Sequence, residues 1–156
     1  MMPNLLVDTD IFIDFFRGDD SAMDLRIGEI KILKNRASKS RPSPLQSWRE
    51  ALTCSVEANA GRIVLSSIVV AELYAGAKDE ELSVLDELPR LFPVEPVTPE
   101  IARLAGLLKG RYARSHGVGL ADALIAATAK QHGLDIGTLN IKYFPMFSGL
   151  EPPYRK

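Results

Sequence analysis

The chain has 156 residues, 46% of them apolar and 25% charged, with a formal net charge of −1. That length suits one domain around one core, and the balance is that of an ordinary soluble globular protein, not of a polycation that holds nucleic acid with its whole surface. A single cysteine, Cys54, excludes an internal disulfide framework and fits a reducing cytosol, while no apolar run approaches the ~20 residues that span a bilayer.

In chain order, Asn4-Leu5-Leu6-Val7 is a short continuous apolar run of the kind that forms a buried parallel strand. It is too short for a signal peptide, because it runs straight into Asp8-Thr9-Asp10, so a cytoplasmic protein is expected. Ile11 to Phe16 then predicts a helix that Thr9 or Asp10 caps and Gly18 ends. Ser21 with Asp24 predicts the start of a second helix through Leu25 and Ile30. From Arg26 to Arg49 seven bases face one acid, Glu29, a local charge of +6 that leaves −7 for the remainder. Within that stretch, 37–47 turns rich in Ser, Pro, Lys and Arg and predicts an exposed loop. Leu45, Trp48, Leu52 and Val56 recur at helical spacing up to Gly61.

Ile63-Val64-Leu65 predicts a second strand, after which Ser67 is placed to cap a helix from Ile68 to Gly76 that carries Glu72. Leu82, Leu85 and Leu88 predict a helix that Pro89 stops. The two prolines in Phe92–Val97 make that stretch a weak strand at an edge. Thr98-Pro99-Glu100 opens a helix with Ile101, Leu104, Leu108 and Tyr112 facing inward. Beyond Gly117 and Gly119, Leu120 to Ala129 predicts a close-packing helix of small residues with Asp122 in its first turn, stopped at His132-Gly133. Asp135–Leu139 predicts a fourth strand with Asn140 just past it, Phe144–Leu150 a fifth, and 151–156 a tail.

Short strands alternating with helices predict an α/β fold with a parallel sheet, and such folds bind ligands beyond the carboxyl ends of the strands. Asp8 follows strand one, Glu72 lies on the helix after strand two, Asn140 follows strand four, and Asp122 starts a helix packed beside them. An acid in a first helical turn is favoured by about 0.3–1 kcal/mol through the helix dipole, so each alone is unremarkable as a site residue. Together they would repel one another, and they coexist either by holding protons or by sharing a cation. An all-oxygen set without His or thiolate selects Mg²⁺ or Mn²⁺, and the chemistry that suits such a site is phosphodiester hydrolysis.

Four stretches in order carry a family resemblance: Leu5-Leu6-Val7-Asp8-Thr9-Asp10-Ile11-Phe12-Ile13-Asp14, Ser66-Ser67-Ile68-Val69-Val70-Ala71-Glu72-Leu73-Tyr74-Ala75-Gly76, Leu120-Ala121-Asp122-Ala123-Leu124-Ile125-Ala126-Ala127-Thr128-Ala129, and Thr138-Leu139-Asn140-Ile141-Lys142-Tyr143-Phe144. The chain resembles PIN-domain ribonucleases, and most closely the VapC-like toxins of toxin–antitoxin pairs. The resemblance implies a three-layer α/β sandwich: a central, mostly parallel sheet of about five strands with helices on both faces, in one domain over 1–156. It implies a Mg²⁺- or Mn²⁺-dependent endoribonuclease with Asp8, Glu72 and Asp122 as metal ligands. Asn140 takes a fourth position where many relatives carry Asp, which suits one firmly held metal and a second that arrives with substrate. Thr9 and Thr138 are placed to hydrogen-bond ligands or phosphate, or to act as plain caps. The implied partners are RNA, a small VapB-like antitoxin and a second copy of the chain in a homodimer, with no membrane.

Two departures stand out. Asp10 occupies a position where relatives more often have Asn or Ser; it either binds metal through water or caps its helix, and the cap is the simpler reading. The basic stretch of about 27–48 looks inserted, as a solvated loop, a phosphate-contacting arm or an antitoxin-docking arm. Arg17, Arg111, Arg114 and Lys142 are candidate phosphate contacts, although exposed bases commonly only solubilise a face. His116 and His132 read as helix-end dipole partners. Phe12, Phe15, Phe16 and Trp48 have core spacing. The alternatives to a nuclease are a PIN-fold module that binds RNA or protein without cleavage, and a haloacid-dehalogenase-like phosphohydrolase. The latter family wants Thr or Val where Phe12 stands.

Overall fold

The computed structural model describes residues 4–16, 26–27, 30–31 and 62–153. The predicted loop over 37–47, the helix over 45–56, most of the basic stretch, Arg17, Trp48, Cys54, the Phe15 and Phe16 side chains and the last three residues lie outside that description.

Three successive apolar residues need cover on both faces, and β1 (Leu5–Val7) has it, with Leu6 and Val7 fully buried. One residue, Asp8, separates it from α1 (Thr9–Phe16). Arg26–Ile27 (β2) and Ile30–Lys31 (β3) then pair antiparallel, with Ile27 opposite Ile30. This corrects the helix expected through Ile30. β-Branched Ile27 and Ile30 favour the extended conformation over the helix.

β4 (Ile63–Ser66) leads directly into α2 (Ser67–Gly76), and the cap is Ser66, one residue earlier than expected: its Oγ accepts from the Ile68 N–H at 3.2 Å. A 3₁₀ turn at Asp79–Glu81 precedes two short helices, α3 (Leu82–Leu85) and α4 (Leu88–Leu91). Pro89 does not stop a helix here. It is the second residue of α4, where a missing N–H costs nothing. β5 (Val94–Glu95) is an edge strand, as its prolines require.

α5 (Pro99–His116) starts on Thr98, whose Oγ1 accepts from the Ile101 N–H at 3.2 Å, and ends on Gly117 in the left-handed conformation at φ 70°. Its inward stripe is Ile101, Ala105 and Leu108, with Leu104 and Tyr112 partly buried. α6 (Leu120–Gln131) packs along α5 and is buried around most of its circumference: Ala123, Ala126, Ala127 and Ala129 have no exposed surface. Thr128 is tolerated there because its hydroxyl donates to the Leu124 carbonyl at 2.7 Å.

β6 (Asp135–Gly137) completes a four-stranded parallel sheet in the order β5-β4-β1-β6. The fold is therefore the expected α/β type, a parallel sheet flanked by helices, but the fifth strand predicted at Phe144–Leu150 is absent. A 3₁₀ turn at Ile141–Tyr143 and further turns stand in its place. Pro145 lacks a ladder donor, and the buried Phe144 anchors the segment by packing instead. Phe12 meets Phe92 edge-on at 5.9 Å, so its predicted core role holds.

The Ala face of α6 sets a stability prediction. Ala126→Leu should overpack the core and cost about 1–3 kcal/mol, whereas Leu107→Ala on exposed α5 surface should change stability by less than about 0.5 kcal/mol. Urea denaturation midpoints of the two variants measure the contrast.

Candidate active site at the carboxyl edge of the sheet

β1 is the one strand of this sheet paired on both sides among the described residues that also ends in an acid, and its register brings Val7 beside Gly137. The Asp8 N–H continues the ladder by donating to the Gly137 carbonyl at 2.8 Å. The Asp8 side chain is therefore held where β1 and β6 both end, and it is 6% exposed. Its Oδ1 accepts from the Thr9 N–H at 2.7 Å and its Oδ2 from the Thr138 hydroxyl at 2.8 Å.

Two of the sequence candidates act as connectors. The Thr9 hydroxyl, on the first residue of α1, donates to Glu72 Oε2 on α2, so the two helices are joined beside the end of β1. The fully buried Thr138 shares its single hydroxyl proton between Asp8 and Asp10 Oδ2, the latter at 3.3 Å, and accepts from the Asn140 N–H at 3.1 Å. Both threonines were candidates for holding ligands, and in the structure both grip carboxylates.

Asp10 does more than start α1. Its Oδ2 also accepts from the Leu139 N–H at 2.9 Å and the Asn140 N–H at 3.2 Å, which ties the exit of β6 to the start of α1. Its Oδ1 is buried without a hydrogen-bond partner. The expectation of a simple helix cap misses this grip, because the partners lie 129 and 130 residues away in sequence.

Electrostatics follow from this crowding. Burial, then the charge of Asp10 and more weakly that of Glu72, push the Asp8 carboxyl from 3.8 up to about 7, against the lowering by its hydrogen bonds to Thr138 and Thr9. Asp10 is raised too, mainly by burial, and its backbone hydrogen bonds oppose the rise.

Asp122 stands somewhat apart. It is half-buried in the first turn of α6, where its Oδ2 accepts from the Gly119 N–H at 3.0 Å. A Cβ on Gly119 would lie 3.1 Å from that same oxygen, so a side chain there would require the carboxylate to shift slightly. Asn140 is exposed and enters the network through its backbone. The structure thus joins Asp8, Thr9, Asp10, Glu72, Thr138 and the Asn140 backbone in one network. Among the described residues, no three acids, histidines or cysteines stand at a spacing that would hold one metal ion in common. The donors nevertheless suit a hard cation in kind: they are all oxygen, one buried carboxylate oxygen has no partner, and the charge on Asp8 is disfavoured by its acidic neighbours.

The quieter candidates lie elsewhere. Arg111 and Arg114 are exposed on α5, and Lys142 is exposed over the Tyr143 ring at 4.5 Å. His116 bonds Ser115 and meets Tyr112 edge-on, while His132 ends α6 at 3.3 Å from Glu95.

Comparison with known proteins places this arrangement. The PIN domain family model matches residues 42–143. Ribonuclease VapC19 of Mycobacterium tuberculosis is 33% identical over 150 residues, 96% of this chain and 98% of that protein. Ribonuclease VapC10 of the same organism is 44% identical over 95 residues, 60% of this chain and 71% of that protein. Among solved structures, a toxin–antitoxin complex from Klebsiella pneumoniae superposes with a TM-score of 0.64 at 24% identity, over 98% of this chain and 100% of that one. DNA-bound VapBC from Salmonella typhimurium does so with a TM-score of 0.61 at 22% identity, covering 97% of each chain. At those identities the structural likeness shows the fold.

The raised Asp8 sets a pH prediction. Between about 4 and 7 the folded chain holds a proton on Asp8 that the unfolded chain has released, so this contribution is full below about 4 and is lost as pH rises through about 7. In EDTA, wild type should lose urea stability from about pH 5 to about pH 8 relative to Asp8→Asn, and the variant should be the more stable of the two at the higher pH. Parallel pH profiles for the two proteins would show that Asp8 is not raised.

Proposed function

This chain belongs to the PIN-domain family, and from that premise we propose that it is a Mg²⁺- or Mn²⁺-dependent endoribonuclease, the toxin of a type II toxin–antitoxin pair. The observation that carries the reading is the buried Asp8 carboxylate, held by two threonine contacts beside Asp10 and Glu72 at the edge where parallel sheets bind ligands. Structural acids rarely crowd so closely without a counter-charge, and a divalent cation with RNA phosphate oxygens supplies one.

In this reading Asp8, Glu72 and Asp122 hold the cation. When bound, Mg²⁺ or Mn²⁺ acidifies a water and offsets the charge that builds on the phosphate, which leads to 3′-hydroxyl and 5′-phosphate ends. The chain's own residues set the stage for that chemistry. Thr9 fixes Glu72 and Thr138 fixes Asp8, so neither carboxylate must be ordered when substrate arrives. Asn140, a neutral amide on the exposed side, orients a water or a carboxylate without adding charge. Asp122 comes from a separate helix, α6, and in this reading completes the set.

The proposed partners are RNA as substrate, a VapB-like antitoxin whose C-terminal segment covers the acidic edge and offers an Arg to the carboxylates, and a second copy of the chain. VapC-named relatives and toxin–antitoxin assemblies of the same fold support the antitoxin. No helix among the described residues is long and apolar enough to cross a membrane, and a cytoplasmic site of action fits that. The basic stretch of about 27–48 is proposed as an insertion in a single domain, with its bases available to phosphates. Family membership sets aside the haloacid-dehalogenase-like alternative. A second reading, a PIN-fold binding module without cleavage, draws on the separation of Asp122 from the other acids.

Cleavage of RNA in Mg²⁺, Mn²⁺ or EDTA separates these readings. The nuclease should need the cation, and Asp8→Asn and Asp122→Asn should each slow it by about a hundredfold or more while remaining folded. Metal-independent cleavage, or equal rates in all three proteins, would place any activity elsewhere. Folded but inactive wild type that binds RNA or a partner tightly would favour the binding module.

A further inference from the structure

The segment after β6 carries two residues of the proposed site, Thr138 and Asn140, yet it has no strand or α-helix of its own to hold it. Asp10 Oδ2 takes the Leu139 N–H, the Asn140 N–H and a share of the Thr138 hydroxyl, three contacts in successive residues to one oxygen. Thr138 in turn holds Asp8 and receives the Asn140 N–H. Releasing Asp10 would therefore free the segment that orients Asp8 from one side, while leaving the Thr9–Glu72 link on the other side intact.

We propose that Asp10 is a positioning residue of the nuclease site: it clamps the β6 exit to the start of α1 and so holds Thr138 and Asn140 in register with Asp8. This rests on the nuclease reading above. The clamp works through an acceptor oxygen and does not need the charge. All three contacts of the clamp fall on the single oxygen Oδ2, and the carbonyl oxygen of Asn would still accept from both backbone N–H groups. A directly ligating acid behaves differently, because the neutral amide is a poor substitute for its charge.

The test compares wild type, Asp10→Asn and Asp10→Ala by single-turnover RNA cleavage, Mn²⁺ titration and amide hydrogen exchange. Asp10→Ala should lower kcat by about 10–100-fold with KM changed less than about threefold, and Asp10→Asn should recover most of that loss. Exchange at the Leu139 and Asn140 amides should rise by about tenfold or more in Asp10→Ala and stay near wild type in Asp10→Asn. Unchanged kcat and exchange in Asp10→Ala would overturn the clamp. Equal loss of Mn²⁺ affinity in both variants would overturn it as well, by making Asp10 a ligand through its charge. Should wild type cleave no RNA, the nuclease reading fails separately, and the exchange comparison alone then upholds or overturns the clamp.

Discussion

Two ladders of parallel hydrogen bonds fix β1 between β4 and β6, and the whole acidic edge depends on that placement. A strand paired on both sides cannot slide by one residue without turning Leu5, Leu6 and Val7 out of register with both neighbours. Asp8 is the residue immediately past this fixed strand, and its own N–H adds one more bond to the ladder. Its backbone position is thus set by the ladder and the core, and the contacts with Thr9 and Thr138 orient its carboxylate there. The burial of Leu6, Val7 and Leu65 beside it offsets the cost of placing a carboxyl where its charge is disfavoured.

The hydrogen bonds around Asp8 and Asp10 decide which kind of site this is. Burial and neighbouring acids act against ionisation, while threonine hydroxyls and backbone N–H groups act for it, and the balance for Asp8 lies well above the usual carboxylate range, at about 7. A purely structural carboxylate in this position would gain from a nearby base, as Glu95 does from His132 at 3.3 Å. Instead, the contacts to Asp8 and Asp10 come from neutral donors, and those donors orient the carboxylates without cancelling their charge. That combination keeps a place for a positive species arriving from outside, which is what the nuclease proposal requires.

Much of this was readable from the sequence, for reasons that differ by element. Continuous apolar runs at Leu5–Val7 and Ile63–Leu65 identify buried parallel strands, and Thr98-Pro99 and Gly117 delimit α5 almost to the residue. Local signals mislead where tertiary contacts override them. Ser66 takes the cap from Ser67 because β4 extends one residue further in its pairing with Glu95. Phe144 buries as an anchor in a turn, although its apolar neighbours suggested a strand. At the site, residue types and chain order point to Asp8, Glu72, Asp122 and Asn140, and hydroxyls beside them to Thr9 and Thr138. What those side chains grip is a property of distant pairs, such as Thr9 with Glu72 or Asp10 with Leu139, and carries no local pattern.

Asp122 is held at a helix end, outside the hydrogen-bond network around Asp8. The bond from the Gly119 N–H holds the carboxylate over the first turn of α6, and the buried Ala face of that helix holds the turn against the rest of the fold. Gly119 has φ −79° and ψ 172°, a conformation open to any residue, so backbone strain does not call for glycine here. Space is tight instead: a Cβ would lie 3.1 Å from Asp122 Oδ2, the oxygen that accepts the Gly119 N–H. Asp8 is therefore fixed by the strand ladder and Asp122 by its contact with the Gly119 N–H at a helix start, two supports that do not depend on each other.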